Sequence, residues 1–284
     1  MIQVLNLELS NKYISKLLQR DKPFLITRPG GVETHISALY KEKQILNKSY
    51  LSSLDNNAGI YTSNDEEVIY FCEIYAKSFE GSTAVAIWES IVGRSQYILK
   101  PQNIPSIHTR SLEPFYACSA NMIPWSHFLK GKKVLIVSPF VDSIKKQNEA
   151  DFQIFSDGRK LFLDDQEFVY YKAFNTSAGN HIHKNWIETF EIMCNDISKL
   201  DFDVALLGCG GYGLPLCDYI HKKMNKSAIY IGGGLQMMFG VMGNRWEKNE
   251  YWKDIIKNHN PSFIRPSGDE ILKDCSRVEN GCYW

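Results

Sequence analysis

The residues with the clearest chemical potential lie in DVALLGCGGYGLPLCDYIHKKM, where an apolar run enters Gly208-Cys209-Gly210-Gly211-Tyr212-Gly213 and then an amphipathic stretch. Glycines let a ligand approach the backbone, and free N–H groups at a helix start favour an anionic phosphate. The spacing satisfies GxGxxG in a strand–turn–helix context. A dinucleotide would also require an acid at the end of the next strand to hold its ribose, and AIYIGGG supplies glycines there. Two readings therefore stand beside the dinucleotide: another phosphorylated ligand, or glycines that only let helix and strand pack closely.

A second turn, Gly232-Gly233-Gly234, follows the next apolar run, and in a parallel sheet both turns would line one crevice. Within reach in sequence, Gln236 offers an amide for a base or sugar hydroxyl, and Arg245 offers a fork for phosphate. Near the other end, PFLIT runs into Arg28-Pro29-Gly30-Gly31-Val32-Glu33. Glu33 at a helix start is favourable electrostatics by itself, with Arg28 as a pairing partner. The functional alternative is a carboxylate that ligates a divalent cation or acts as a base beside a diphosphate neutralised by Arg28.

Other candidates have simpler explanations. His181 and His183 have HxH spacing without an obvious third ligand, and Asp65-Glu66-Glu67 follows Asn64 as a helix start would. No GxSxG elbow, Walker A loop or HExxH helix occurs.

These residues need a frame, and the alternation of short apolar runs with amphipathic ones predicts an α/β fold. Strands are expected at Phe24–Thr27, Ala84–Trp88, Lys133–Val137, Phe168–Ala173, Val204–Leu207 and Ala228–Ile231. Helices are expected at Glu33–Leu46, Asp65–Phe79, Lys184–Leu200 and Leu214–Met224, where apolar residues recur three and four apart. The chain reads as one domain over residues 1–284, with an irregular inter-lobe connection at 100–130 and a tail from about residue 247 whose terminal aromatic pair would dock on the body.

The 32 basic residues equal the 32 acidic ones, so no overall field attracts nucleic acid. Charges break the N-terminal segment where a secretory signal needs an apolar core, and no stretch is long and apolar enough to cross a bilayer. A cytoplasmic protein is expected. Seven scattered cysteines without a CxxC pair argue against a disulfide framework and a thiolate zinc site.

Four segments together resemble the GT-D-type glycosyltransferases, a bacterial class acting on nucleotide-sugars: RPGGVE, LDNNAGIY at Leu54–Tyr61, KKVLIVSPFVDSIKKQ at Lys132–Gln147, and LLGCGGYGLPLCDYI through GGGLQMMFGVMGNRW. The resemblance implies a Rossmann-like, mostly parallel sheet flanked by helices. It also implies transfer of a sugar from a nucleoside diphosphate donor, best matched by UDP, to a hydroxyl of a surface polysaccharide or glycoconjugate. The acceptor would be a glycan or lipid-linked glycan, placing the protein peripherally at the inner membrane face, as a homo-oligomer or with an assembly partner. The family signature is an Arg, a Gly and a DxE pair associated with nucleotide-sugar and metal binding. Arg28, Gly30 and Glu33 match, whereas Gly31 stands where the aspartate would be. The implied donor pocket comprises Arg28, Gly30, Asn57, Gly59, Gly210, Tyr212, Gly213, Gly233, Gln236 and Arg245, with Glu33 as catalytic residue and ligand of manganese or magnesium. Asn57 is equally a turn residue, and Tyr212 either stacks on the base or packs beneath its turn. Two other classes stay open: an NAD(P)-dependent sugar-modifying oxidoreductase and a non-catalytic nucleotide-binding assembly subunit.

Overall fold

The computed structural model describes residues 3–88, 93 and 95–284. Seven strands form one sheet: β1 Leu25–Thr27, β2 Ala84–Ile87, β3 Ser106–His108, β4 Val134–Ser138, β5 Phe168–Lys172, β6 Val204–Leu207 and β7 Ser227–Tyr230. Their order is β3-β2-β1-β7-β6-β4-β5, and every pairing is parallel.

Parallel strands need crossovers, which cover both faces of a sheet and leave its central strands without a polar side. The apolar runs of the sequence follow from that. Along each strand the side chains alternate: Ile26, Ala86, Ile136, Leu206 and Ile229 join one buried cluster. Leu25, Val85, Leu135, Ala205 and Tyr230 join the cluster on the opposite face.

The helices are α1 Leu7–Leu18, α2 Gly31–Lys41, α3 Lys48–Ser53, α4 Asp65–Lys77, α5 Ser95–Leu99, α6 Val141–Glu149, α7 Trp186–Ile197, α8 Gly213–Met224, α9 Gly234–Met238, α10 Asn244–Glu247 and α11 Glu250–His259. The six expected strands and four expected helices are present with shifted ends. The longest difference is at α2, expected to reach Leu46. It stops at Lys41 because Lys43 turns into the left-handed region (φ 56°) and the Gln44 amide folds back onto the Leu39 carbonyl at 2.9 Å.

Strand β3 was not foreseen. Only three residues long and preceded by Pro105, it lacks a periodic signal of its own and is defined by its pairing with β2. The surrounding segment also supplies Leu112, Phe115, Trp125 and Leu129 to the buried cluster on one face of the sheet.

Two helix starts are stapled together. Asn64 caps α4 by accepting from the Glu67 amide at 3.0 Å, and Asn185 caps α7 by accepting from the Glu188 amide at 3.0 Å. Asn185 then donates to the Glu67 carboxylate at 2.6 Å. Glu67 is thereby a structural residue.

The C-terminal segment packs on the body. Trp284 is buried, and its indole N–H donates to the Glu270 carbonyl at 2.7 Å. The Glu270 carboxylate in turn accepts from the Asp142 and Ser143 amides at 2.9 and 3.1 Å, capping α6 from a distant part of the chain. Among the described residues, no helix is long and apolar enough to cross a membrane.

Candidate active site

The chain leaves β4 toward β5 and leaves β6 toward β7, on opposite sides, so the loops after these neighbouring strands diverge. A crevice opens where they part, at the carboxyl edge where ligands of open α/β sheets bind. A cavity of about 410 Å³ occupies this edge and is lined from every strand end: Arg28–Glu33 after β1, Trp88 after β2, Thr109 and Arg110 after β3, Ser138–Phe140 after β4, Phe174–Ser177 after β5, Gly208–Gly210 after β6, and Ile231–Gly234 after β7. Glu113, Arg245, Glu279 and Tyr283 also line it.

Arg28 reaches into it from the end of β1. Its guanidinium lies 5.4 Å from the ring centre of Trp88 and 5.0 Å from that of Tyr230, within cation–π range of both. Gly232 sits directly against it: a Cβ there would fall 2.1 Å from the Arg28 Nη2 atom. The Nε atom of Arg28 is buried without a hydrogen-bond partner. Among the described residues no carboxylate makes an ion pair with this arginine.

Glu33 occupies the first turn of α2, only 7% exposed. The backbone around it is pinned by Tyr75, whose hydroxyl accepts from the Gly30 amide at 2.8 Å and shares a 2.9 Å hydrogen bond with Thr34. The Glu33 carboxylate folds back over Gly30, 2.6 Å from where a Cβ at that position would lie, so Gly30 makes room for it. Burial raises the Glu33 carboxyl above its ordinary range, and the negative charge of Glu279 pushes the same way. Arg28 and the Glu33 and Val32 amides oppose that shift.

Two further carboxylates reach the cavity from segments with no periodic signal. Glu113 pairs with Arg110 at 3.2 Å and is also raised by burial. Glu279 pairs with Arg245 at 2.5 Å, and Arg245 stacks on Tyr283 at 4.6 Å. Sequence reading missed Glu113, Glu279, Tyr283 and Trp88, whose roles arise from contacts between distant segments.

The structure gathers Arg28, Gly30, Glu33, Asn57, Gly210, Tyr212, Gly233, Gln236 and Arg245 around the one cavity. Gly59 and Gly213 stand behind its wall. A Cβ at Gly213 would lie 2.2 Å from the Tyr230 ring, so this glycine lets α8 pack onto β7. Gly59 abuts Thr176, whose hydroxyl donates to the Gly59 carbonyl at 2.7 Å. Gln236 donates its amide to the Val241 and Tyr283 carbonyls, both at 3.0 Å, which leaves its buried Oε1 without a protein partner.

Tyr212 packs beneath its turn. It is 1% exposed, stacks on Trp186 at 5.7 Å, and shares a 2.8 Å hydrogen bond with Thr176. Tyr212→Phe is expected to cost about 1 kcal/mol of stability in urea unfolding, the usual net value of such a bond, with ligand affinity unchanged. Unchanged stability with lost affinity would put the hydroxyl on the ligand instead.

The donor set for a divalent cation does not fit. Glu33 would supply one carboxylate, while Gly31 supplies none, and a Cβ at Gly31 would meet nothing within 4 Å. Among the described residues no group of three or more His, Cys, Asp or Glu could hold a metal ion. His181 and His183 do not converge: the first contacts Asp55 at 2.7 Å and stacks on Tyr61, and the second contacts Thr189 at 3.0 Å. All seven cysteines are free, and burial pushes the thiol of Cys209, the one lining the cavity, well above its ordinary value. It is a poor nucleophile.

No protein-family model matches the chain, and no curated protein matches it. Among solved structures it is similar to a glycosyltransferase (DUF1792) from Streptococcus sanguinis, 16% identical over 89% of this chain and 92% of that one, with a TM-score of 0.46. It is also similar to a structure of domain of unknown function 1792 described as having a distinct glycosyltransferase fold, 13% identical over 95% of this chain and 92% of that one, with a TM-score of 0.48.

Proposed function

We propose that the protein is a glycosyltransferase that moves a sugar from a nucleoside diphosphate donor, UDP-linked, to a hydroxyl of a bacterial surface polysaccharide or glycoconjugate. The observation that carries this reading is the Arg28 guanidinium, held between Trp88 and Tyr230 at the carboxyl edge of the sheet with a buried, unpartnered Nε. A buried donor without an acceptor is costly, and a diphosphate supplies acceptors with the matching charge.

Under this reading the diphosphate lies against Arg28 and the backbone near Gly210 and Gly232–Gly234, with Asn57 and the Oε1 atom of Gln236 available to the base or sugar. Glu33 is the general base. The acceptor oxygen attacks the anomeric carbon, the bond from that carbon to the diphosphate oxygen breaks, and the hydroxyl proton passes to Glu33. Its raised affinity for a proton suits that task. The diphosphate leaves as an anion stabilised by Arg28. Catalysis on a lipid-linked glycan would bring the protein to the inner membrane face from the cytoplasm.

A dinucleotide has less support, because β7 ends at Tyr230 and Ile231 leads into Gly232 without a carboxylate for a ribose. Calorimetric titration with UDP-sugars and with NAD(P)H separates the two. Saturable binding of a UDP-sugar, with transfer or slow hydrolysis of the sugar, is expected. Binding of the nicotinamide cofactor alone would sink the proposal, and UDP-sugar binding with no turnover of any acceptor would favour an assembly subunit.

A further inference from the structure

We infer that the positive charge facing a bound diphosphate in this chain is the Arg28 guanidinium and that donor binding needs no divalent cation. The inference rests on reading the cavity as a nucleoside diphosphate site and concerns what neutralises that ligand.

The carboxylates around the cavity are dispersed. Glu113 is paired with Arg110, and Glu279 with Arg245. Glu33 is buried, with its carboxylate folded against Gly30. A divalent cation takes several hard oxygen ligands, and Glu33 would supply one side chain. The position two residues before Glu33 on the first turn of α2 is Gly31, which offers no side-chain oxygen and opens onto free space.

Arg28 has the opposite character. A guanidinium keeps its charge at any working pH and presents a planar fork that matches phosphate oxygens. Two aromatic rings lie within cation–π reach of it, and its Nη2 atom sits where a Cβ at Gly232 would be. Gly232 has φ 79°, in the left-handed region, and a Cβ on this backbone would point into the guanidinium's space, so glycine is required on both counts. A buried Nε without a protein partner completes a preformed anion clamp. Such a clamp acts on a developing diphosphate charge as a metal ion would.

The test is calorimetric titration of the full chain with UDP and with UDP-sugars, in EDTA and in excess manganese. The wild-type dissociation constant is expected to agree between the two conditions to within about two-fold. Arg28→Lys, which keeps the charge but loses Nε and the fork, is expected to bind UDP about ten-fold or more weakly in EDTA, with its thermal unfolding unchanged. Gly31→Asp places a second carboxylate near Glu33 in open space, and its UDP affinity is expected to become manganese-dependent. Collapse of wild-type affinity in EDTA would overturn the inference while leaving the nucleotide site standing, as would full affinity of Arg28→Lys. Failure of every nucleoside diphosphate to bind in both conditions would instead overturn the reading of the cavity itself.

Discussion

Glu33→Gln is expected to lower kcat for sugar transfer by about a hundred- to ten-thousand-fold, the range a positioned general base contributes, while donor affinity is kept. Glutamine has the same shape and fills the same space over Gly30 but takes no proton. The wild-type pH profile should carry the same signature. The base works only when ionised, so kcat/KM falls as pH falls through the raised Glu33 value, at a pH above that of an ordinary carboxylate.

Stability should move the other way. A carboxyl whose proton affinity is higher in the folded chain than in the unfolded one contributes most below its ordinary value, and that contribution is lost as pH rises through the folded value. Glu33→Gln removes the cost of holding a buried charge. Its Tm should therefore exceed that of the wild type at alkaline pH, with the gap closing as pH falls and the wild-type carboxyl protonates. Full transfer activity in Glu33→Gln would eliminate the base role, and a Tm gap that widens toward acid would contradict the burial argument.

Gly232→Ala is expected to weaken UDP-sugar binding by about ten- to a hundred-fold, the loss expected when charge-assisted hydrogen bonds from Arg28 are forfeited. The added methyl would fall 2.1 Å from the Arg28 Nη2 atom. Most arginine tips would swing away cheaply, but this one is held between Trp88 and Tyr230, so it must leave the clamp to move. The left-handed backbone adds a folding cost of about 1–2 kcal/mol. Gly131→Ala separates the two effects. Gly131 also has φ 79°, but a Cβ there meets nothing within 4 Å. That variant should show the backbone cost in denaturant unfolding and bind donor normally. Equal binding by both variants would show that Gly232 acts through the backbone alone.

The sequence by itself determined the class of the fold and the local settings of the main candidates. Central parallel strands are buried on both faces, so they leave uninterrupted apolar runs, and five strands were legible for that reason, while β5, partly buried at one edge, was legible from its β-branched and aromatic residues. The short edge strand β3 was not, because three residues after a proline carry no period. A glycine run after a strand and an Arg–Gly–Glu segment before a helix are equally local, and both were visible.

Only the tertiary structure decided what these residues touch. Pairing of β1 with β7 sets Arg28 beside Tyr230 and Gly232, and no spacing along the chain encodes that neighbourhood. Within the glycine turn, Gly213 and Tyr212 belong to packing: one admits the Tyr230 ring, and the other closes a buried hydrogen bond with Thr176. Glu113 and Glu279 enter the site from irregular segments that leave no pattern to read, and Trp88 enters it from the end of β2. Periodicity records which face of an element is buried. It does not record which distant segment covers that face, and the charges around Glu33 and Arg28 are set by those distant segments.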